Sequence, residues 1–215
     1  MEKKLVVSTQ ASYETFGELS EKTEKIYLIC HGYGQLAKYF IRRFDVLDSE
    51  KNYVIAPQGL SKFYLNNGYD KVGASWLTKE NREIDLQNAL TYLQAIYFEE
   101  VAKHIEKYAK TELIVFGFSQ GVSMAVRWAV ANKIPFTKLI LWAGRFPNEI
   151  QAENLHFVAK NAEIMLVIGK QDEFYQESYL AEETEKITKL LKAPQVIVFE
   201  GTHEVQREVL QKILN

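Results

Sequence analysis

The chain has 215 residues, 47% of them hydrophobic and 13% aromatic, which is enough for one sizeable core and too little for two of ordinary size. Its 26 basic and 28 acidic residues leave a net charge of −2, so nothing suggests a nucleic acid or an anionic membrane as partner, and a small molecule is expected instead. One cysteine, Cys30, excludes an intrachain disulfide and fits a reducing compartment, and no Cys/His spacing of the zinc-binding kind occurs.

From the amino end, the apolar stretch Leu5, Val6 and Val7 is far too short for a signal-peptide core or a membrane span, so a cytoplasmic protein without integral membrane contact is expected. Short apolar runs bounded by turn residues predict strands at 4–8, 25–30, 52–56, 112–116, 138–142, 163–168 and 195–199. Several are continuously apolar, as strands buried on both faces must be. The stretch 83–110 sets Ile84, Leu86, Leu90, Leu93, Ile96, Val101 and Ile105 on roughly one face, an amphipathic helical pattern. Shorter helices are expected after Gly34, Ser119, Glu177 and Glu204. Residues 58–78 and 144–160 are aromatic and polar without clean periodicity, and are expected to be loops that are either functional or disordered. The alternation defines an α/β class: a mostly parallel central sheet with helices on both faces, in a single domain over residues 1–215. The sequence says nothing of oligomeric state.

In LIVFGFSQGVSMAVRWAV an apolar strand leads into Gly117, the pentapeptide GFSQG and a helical pattern from Val122. A serine at so sharp a strand-to-helix turn is strained and crowds the positions two before and two after it, which Gly117 and Gly121 keep small. The turn lifts the Ser119 hydroxyl clear of the sheet and aims the N–H of Gln120 where an oxyanion would form.

A serine nucleophile needs a base, and the base a carboxylate to set its tautomer. Of four histidines, His104 lies in the charged run AKHIEK and is expected at the solvated surface, His156 has no evident role, and His31 precedes the serine. His203 follows the last apolar strand by a Gly-Thr turn. The strand IMLVIG ends in a turn presenting Asp172 and Glu173; Asp172 is the chosen carboxylate, with Glu173 and the more remote Glu177 as alternatives. The order Ser119, Asp172, His203 is that of α/β-hydrolases.

Gly32 and Gly34 follow another strand, where a flexible backbone can turn the Tyr33 N–H toward the site as a second oxyanion donor. Gly32, Gly34 and Ala37 also match a dinucleotide-binding fingerprint, but the next strand ends in Ala56 and Pro57 with no acid to hold a ribose. Cys30 reads as a buried strand residue.

Together HGYGQ, APQGLSKFYL, GASWLTKENR, GFSQG, GKQDEF and GTHEV, spanning His31 to His203, resemble the phospholipase/carboxylesterase family of α/β-hydrolases, which includes acyl-protein thioesterases and small bacterial esterases. The resemblance implies a serine carboxylesterase that hydrolyses small or acyl esters through an acyl-enzyme. Ser119, Asp172 and His203 would be catalytic, the backbones of Tyr33 and Gln120 would form the oxyanion hole, and no metal or cofactor would be needed. The alternatives are a thioesterase acting on acyl-protein or other thioesters and a non-catalytic hydrolase-fold binding protein. Phe63, Tyr64, Trp76, Trp142, Phe146 and Phe174 are candidates for lining the substrate pocket. Two departures bear on the substrate: Gln35 stands where the family typically has an acid, and DEFYQE lacks the proline often found after the aspartate.

Overall fold

The computed structural model describes residues 1–174 and 177–214, the side chain of Glu177 apart. The chain begins with β1 (Tyr13–Phe16), β2 (Lys25–Cys30), α1 (Ala37–Phe40) running into a 3-10 turn (Ile41–Phe44), β3 (Asn52–Pro57), β4 (Ser61–Tyr64) and β5 (Val72–Ser75). Next, α2 (Arg82–Ile96) passes through a π-helical stretch (Tyr97–Ala102) into α3 (Lys103–Lys107). The second half carries β6 (Glu112–Phe118), α4 (Gln120–Ala131), β7 (Lys138–Trp142), a 3-10 turn (Ala152–Leu155), β8 (Glu163–Gly169), α5 (Glu177–Leu190), β9 (Gln195–Phe199) and α6 (Arg207–Leu214).

Among the described residues one sheet has seven strands in the order β1-β3-β2-β6-β7-β8-β9, with β1 antiparallel to β3 and every other neighbour parallel. Successive side chains of a strand point to opposite faces, so its continuously apolar strands feed two cores. Ile26, Leu28 and Cys30 of β2 meet Leu93 of α2 and Val126 and Trp128 of α4 on one face. Tyr27 and Ile29 meet Phe40, Phe44 and Leu210 on the other. Helices therefore cover both faces of the mostly parallel sheet, the expected α/β class. The chain leaves β2 toward β3 on one side and returns at β6 on the other. That reversal opens a crevice at the carboxyl ends of β2 and β6, where ligands of such sheets bind.

Three expectations about elements need correction. Residues 4–8 form no strand: Leu5 is 87% and Val6 98% exposed. The place beside β3 is taken by Tyr13–Phe16, which polar contacts anchor: Tyr13 Oη donates to Glu100 Oε1 at 2.5 Å, and Tyr92 Oη donates to the Ser12 carbonyl at 2.7 Å. Within 58–78, β4 and β5 pair as an antiparallel hairpin that alternation alone did not reveal. His104 is only 8% exposed; its Nε2 lies 3.3 Å from Thr111 Oγ1, its ring packs 4.7 Å from that of Tyr108, and burial lowers its pKa.

Candidate active site

β6 ends at Phe118 and α4 begins at Gln120, so Ser119 alone makes the turn, at φ 53° and ψ −119°. A serine pays for this left-handed conformation in strain, which the fixed strand and helix on either side maintain. The close approach explains both glycines: a Cβ on Gly117 would collide with the Val122 backbone, and one on Gly121 with the Cys30 carbonyl. The Ser119 N–H donates to the Trp142 carbonyl at 2.9 Å, tying the turn to β7.

His203 Nε2 lies 2.9 Å from Ser119 Oγ, and His203 Nδ1 lies 2.7 Å from Asp172 Oδ2. A carboxylate only accepts, so Nδ1 carries the proton and Nε2 is left to receive the serine's. The other carboxylate oxygen, Oδ1, accepts the Phe174 N–H at 2.8 Å. The Asp172 side chain is 1% exposed and that of His203 20%, which puts the carboxylate behind the imidazole, away from water. Of the three acids weighed from the sequence, the structure brings Asp172 to His203; Glu173 is exposed, and the Glu177 side chain lies outside the described residues.

Two loops hold this pair. After β8, the Lys170 N–H donates to the Phe199 carbonyl and the Gln171 N–H to the Gly201 carbonyl, both at 2.8 Å. Trp142 Nε1 donates to the Glu204 carbonyl at 2.9 Å, fixing the residue after His203. The rings of Phe118 and Phe174 each lie 4.9 Å from the imidazole.

The turn after β2 commits three of its N–H groups. That of Gly32 donates to Gln35 Oε1 at 2.8 Å, that of Gly34 to the Ala74 carbonyl at 2.8 Å, and that of Gln35 to the Gly32 carbonyl at 3.2 Å. Among the described residues, the N–H of Tyr33, between these, has no protein acceptor. Gln120 is the first residue of α4, so its N–H has no acceptor within the helix either.

Two side chains that sequence reasoning passed over brace these donors. His31, fully buried, accepts the Gly59 N–H on Nε2 at 2.9 Å and donates from Nδ1 to the Gly32 carbonyl at 2.8 Å. Burial lowers its pKa to about 4, partly offset by the Gly32 carbonyl, so the ring is neutral. The Gln120 amide donates to Ser75 Oγ at 3.0 Å and the Leu77 carbonyl at 2.9 Å, and accepts the Trp76 N–H at 3.0 Å. The one available signal was their position, each adjoining a strand end beside a glycine turn.

The aromatic candidates divide. Trp76 at 1%, Trp142 at 0% and Phe146 at 1% exposure belong to the hydrophobic core. Phe63 is half-buried, 5.1 Å from the Tyr33 ring, and exposed Phe174 flanks His203. Tyr64 packs against Tyr69 at 5.0 Å. Cys30 is fully buried, which pushes its thiol well above the ordinary range.

A parallel sheet with this strand order, a serine on a positive-φ turn after its central β6, and a histidine and aspartate from later loops together define an α/β-hydrolase. The chain belongs to the phospholipase/carboxylesterase family, whose family model matches residues 14–215. Among curated proteins the sequence has no significant match. Among solved structures it is similar to acyl-protein thioesterase 2 from Zea mays, with TM-score 0.70 and 14% identity over 95% of this chain and 98% of that one. It is also similar to a phospholipase/carboxylesterase from Dyadobacter fermentans, with TM-score 0.63 and 19% identity over 97% and 96% of the two chains. A carboxylesterase from Bacillus cereus aligns with TM-score 0.62 and 16% identity over 94% and 91%. At these identities the three likenesses speak to the fold. Among the described residues, no helix is long and apolar enough to cross a membrane.

Proposed function

We propose that the chain is a serine carboxylesterase in which Ser119 is the nucleophile, His203 the general base and Asp172 the group that orients it. The observation that carries this reading is the hydrogen-bonded line from Ser119 Oγ through both His203 nitrogens to a buried carboxylate. Ser119 Oγ attacks the ester carbonyl carbon as its proton passes to His203 Nε2. The carbonyl oxygen, now an anion, is held by the N–H groups of Tyr33 and Gln120. Collapse breaks the bond to the alcohol oxygen, which takes the proton from His203 and departs. Water, deprotonated by His203, then attacks the acyl-enzyme, and Ser119 recovers its proton as the acid leaves.

A small ester is the expected substrate, and the mechanism calls on neither metal nor cofactor. A thioester carbonyl follows the same steps with a thiol as leaving group, so paired oxygen and sulfur esters of one acyl chain separate esterase from thioesterase. The test of the core claim is labelling by a fluorophosphonate probe. The wild type should be modified at Ser119 and lose ester hydrolysis. The Ser119→Ala variant should do neither, retaining under about 10⁻⁴ of the wild-type rate. A folded wild type that resists the probe would favour the non-catalytic binding protein.

A further inference from the structure

Beside the turn at 31–35 lies a cleft of about 490 Å³ that the acyl-transfer steps leave unused. Gly34 and Gln35 form one wall, α1 and its 3-10 extension bring Lys38, Tyr39 and Arg43, and the β4–β5 connection brings Asp70 and Lys71. Its volume falls within the roughly 300–1,000 Å³ of small-molecule sites.

Its charge is lopsided. Three cations face one carboxylate in a chain whose net charge is −2. Lys38, Arg43 and Lys71 are exposed, and among the described residues none of them is ion-paired. Asp70 already accepts a hydrogen bond from Asn66 Nδ2 at 2.7 Å, while Lys38 Nζ rests 4.9 Å from the centre of the Tyr39 ring, which leaves its charge available. On the opposite wall the turn is braced by the neutral Gln35 amide, which accepts the Gly32 N–H, so no carboxylate offsets the cations from that side. A cleft lined by one sign of charge concentrates ligands of the other.

We propose that this cleft is a subsite for an anionic group, phosphate or carboxylate, carried by the ester that Ser119 hydrolyses. The inference rests on Ser119 being the nucleophile. Tyr33, whose N–H would hold the carbonyl oxygen, lies two residues and at most ~7.6 Å of chain from Gln35 on the cleft wall. The cleft therefore adjoins the turn that would hold the carbonyl oxygen, and an acidic group on a substrate that extends along this turn would enter it. Arg43 offers a planar fork that suits either anion, and the two lysines add point charge.

Two matched pairs test this: glycerol monoacetate against its 3-phosphate, with the charge on the alcohol, and dimethyl succinate against monomethyl succinate, with the charge on the acyl side. In at least one pair the anion should be preferred about tenfold or more in kcat/KM, mainly through KM, with the preference shrinking as salt rises. Which pair responds assigns the side of the substrate that enters the cleft. The triple variant Lys38→Gln, Arg43→Gln, Lys71→Gln should bring both pairs to parity while hydrolysing the neutral esters as before. Parity in the wild type, or a preference that survives the triple variant, overturns the subsite. If the wild type hydrolysed none of these esters, fluorophosphonate labelling would decide the nucleophile assignment by itself, an unlabelled Ser119 overturning it. Calorimetric titration with inorganic phosphate would then decide the subsite, with binding in the wild type alone supporting it and any other pattern overturning it.

Discussion

Gln120 joins two tasks at one position: its backbone opens α4 with an uncommitted N–H, and its side chain fastens that helix start to Ser75, Trp76 and Leu77. Removing the amide in Gln120→Ala leaves the donor present but loosely placed. We expect kcat to fall about tenfold with the circular dichroism unchanged, less than the 10²–10³ or so that deleting an oxyanion donor costs. Asp172→Asn keeps an acceptor for the Phe174 N–H but no longer enforces the Nδ1-protonated tautomer, and kcat should drop on the order of 10⁴-fold in ester turnover. His31 makes the fold sensitive to acid. Its pKa is lowered from the ordinary 6.5 to about 4, so the unfolded chain takes up the proton first. Its contribution is complete above pH 6.5 and is lost as pH falls toward 4, on the order of 3 kcal/mol. Urea unfolding from pH 7 to pH 4 should show His31→Gln with a shallower decline than the wild type. Ser119, Asp172 and His203 were legible because each ends or follows an apolar strand in a telling order. The duties of Gln120 and His31 were not, because their partners Ser75, Trp76, Leu77 and Gly59 sit in a stretch without periodicity.

At the level of elements, the long helix departs from its regular pattern where it matters for β1. Ile96 and Val101 are both buried although five residues apart, a spacing that a π turn accommodates and an α turn does not. The same wide turn carries Glu100, whose two oxygens accept the hydroxyls of Tyr13 at 2.5 Å and Tyr53 at 2.8 Å. That hydrogen bond, with burial added, pushes the Tyr13 hydroxyl up to about 12, so it remains a donor at ordinary pH. Glu100→Ala should cost about 2 kcal/mol in urea unfolding and raise hydrogen exchange along β1, with ester turnover unaffected. Apolar spacing predicted a continuous helix through 83–110 and found its buried face, but no apolar pattern announces a π turn. β1 escaped notice for a related reason: YETF carries little apolar weight, and its place depends on a carboxylate more than eighty residues away.

For the molecule as a whole, the parallel sheet was read almost entirely from apolar runs because strands buried on both faces have nowhere to place polar residues. Surface features were not legible in the same way: the hairpin of β4 and β5 and the cationic cleft depend on which loops meet. Residues 1–10 lie outside the sheet and are exposed throughout, whereas Ser12 receives the Tyr92 hydroxyl. Deleting 1–10 should change stability by no more than about 0.5 kcal/mol and leave turnover intact, checked by thermal melting and ester assay.

The loops that carry Asp172 and His203 are laced to each other and follow the last two strands, with β9 at the open margin of the sheet and its outer side chains in water. Ser119 sits over the centre. The reactive line thus spans the firmest part of the structure and one of its least protected, and fraying at that margin parts the imidazole from the hydroxyl while the central strands still hold. Warming should therefore extinguish turnover several degrees below the melting of the core, and cooling should restore it. Ester assays and tryptophan fluorescence followed on one temperature ramp would reveal that gap, and coincident curves would show that the margin and the centre melt as one.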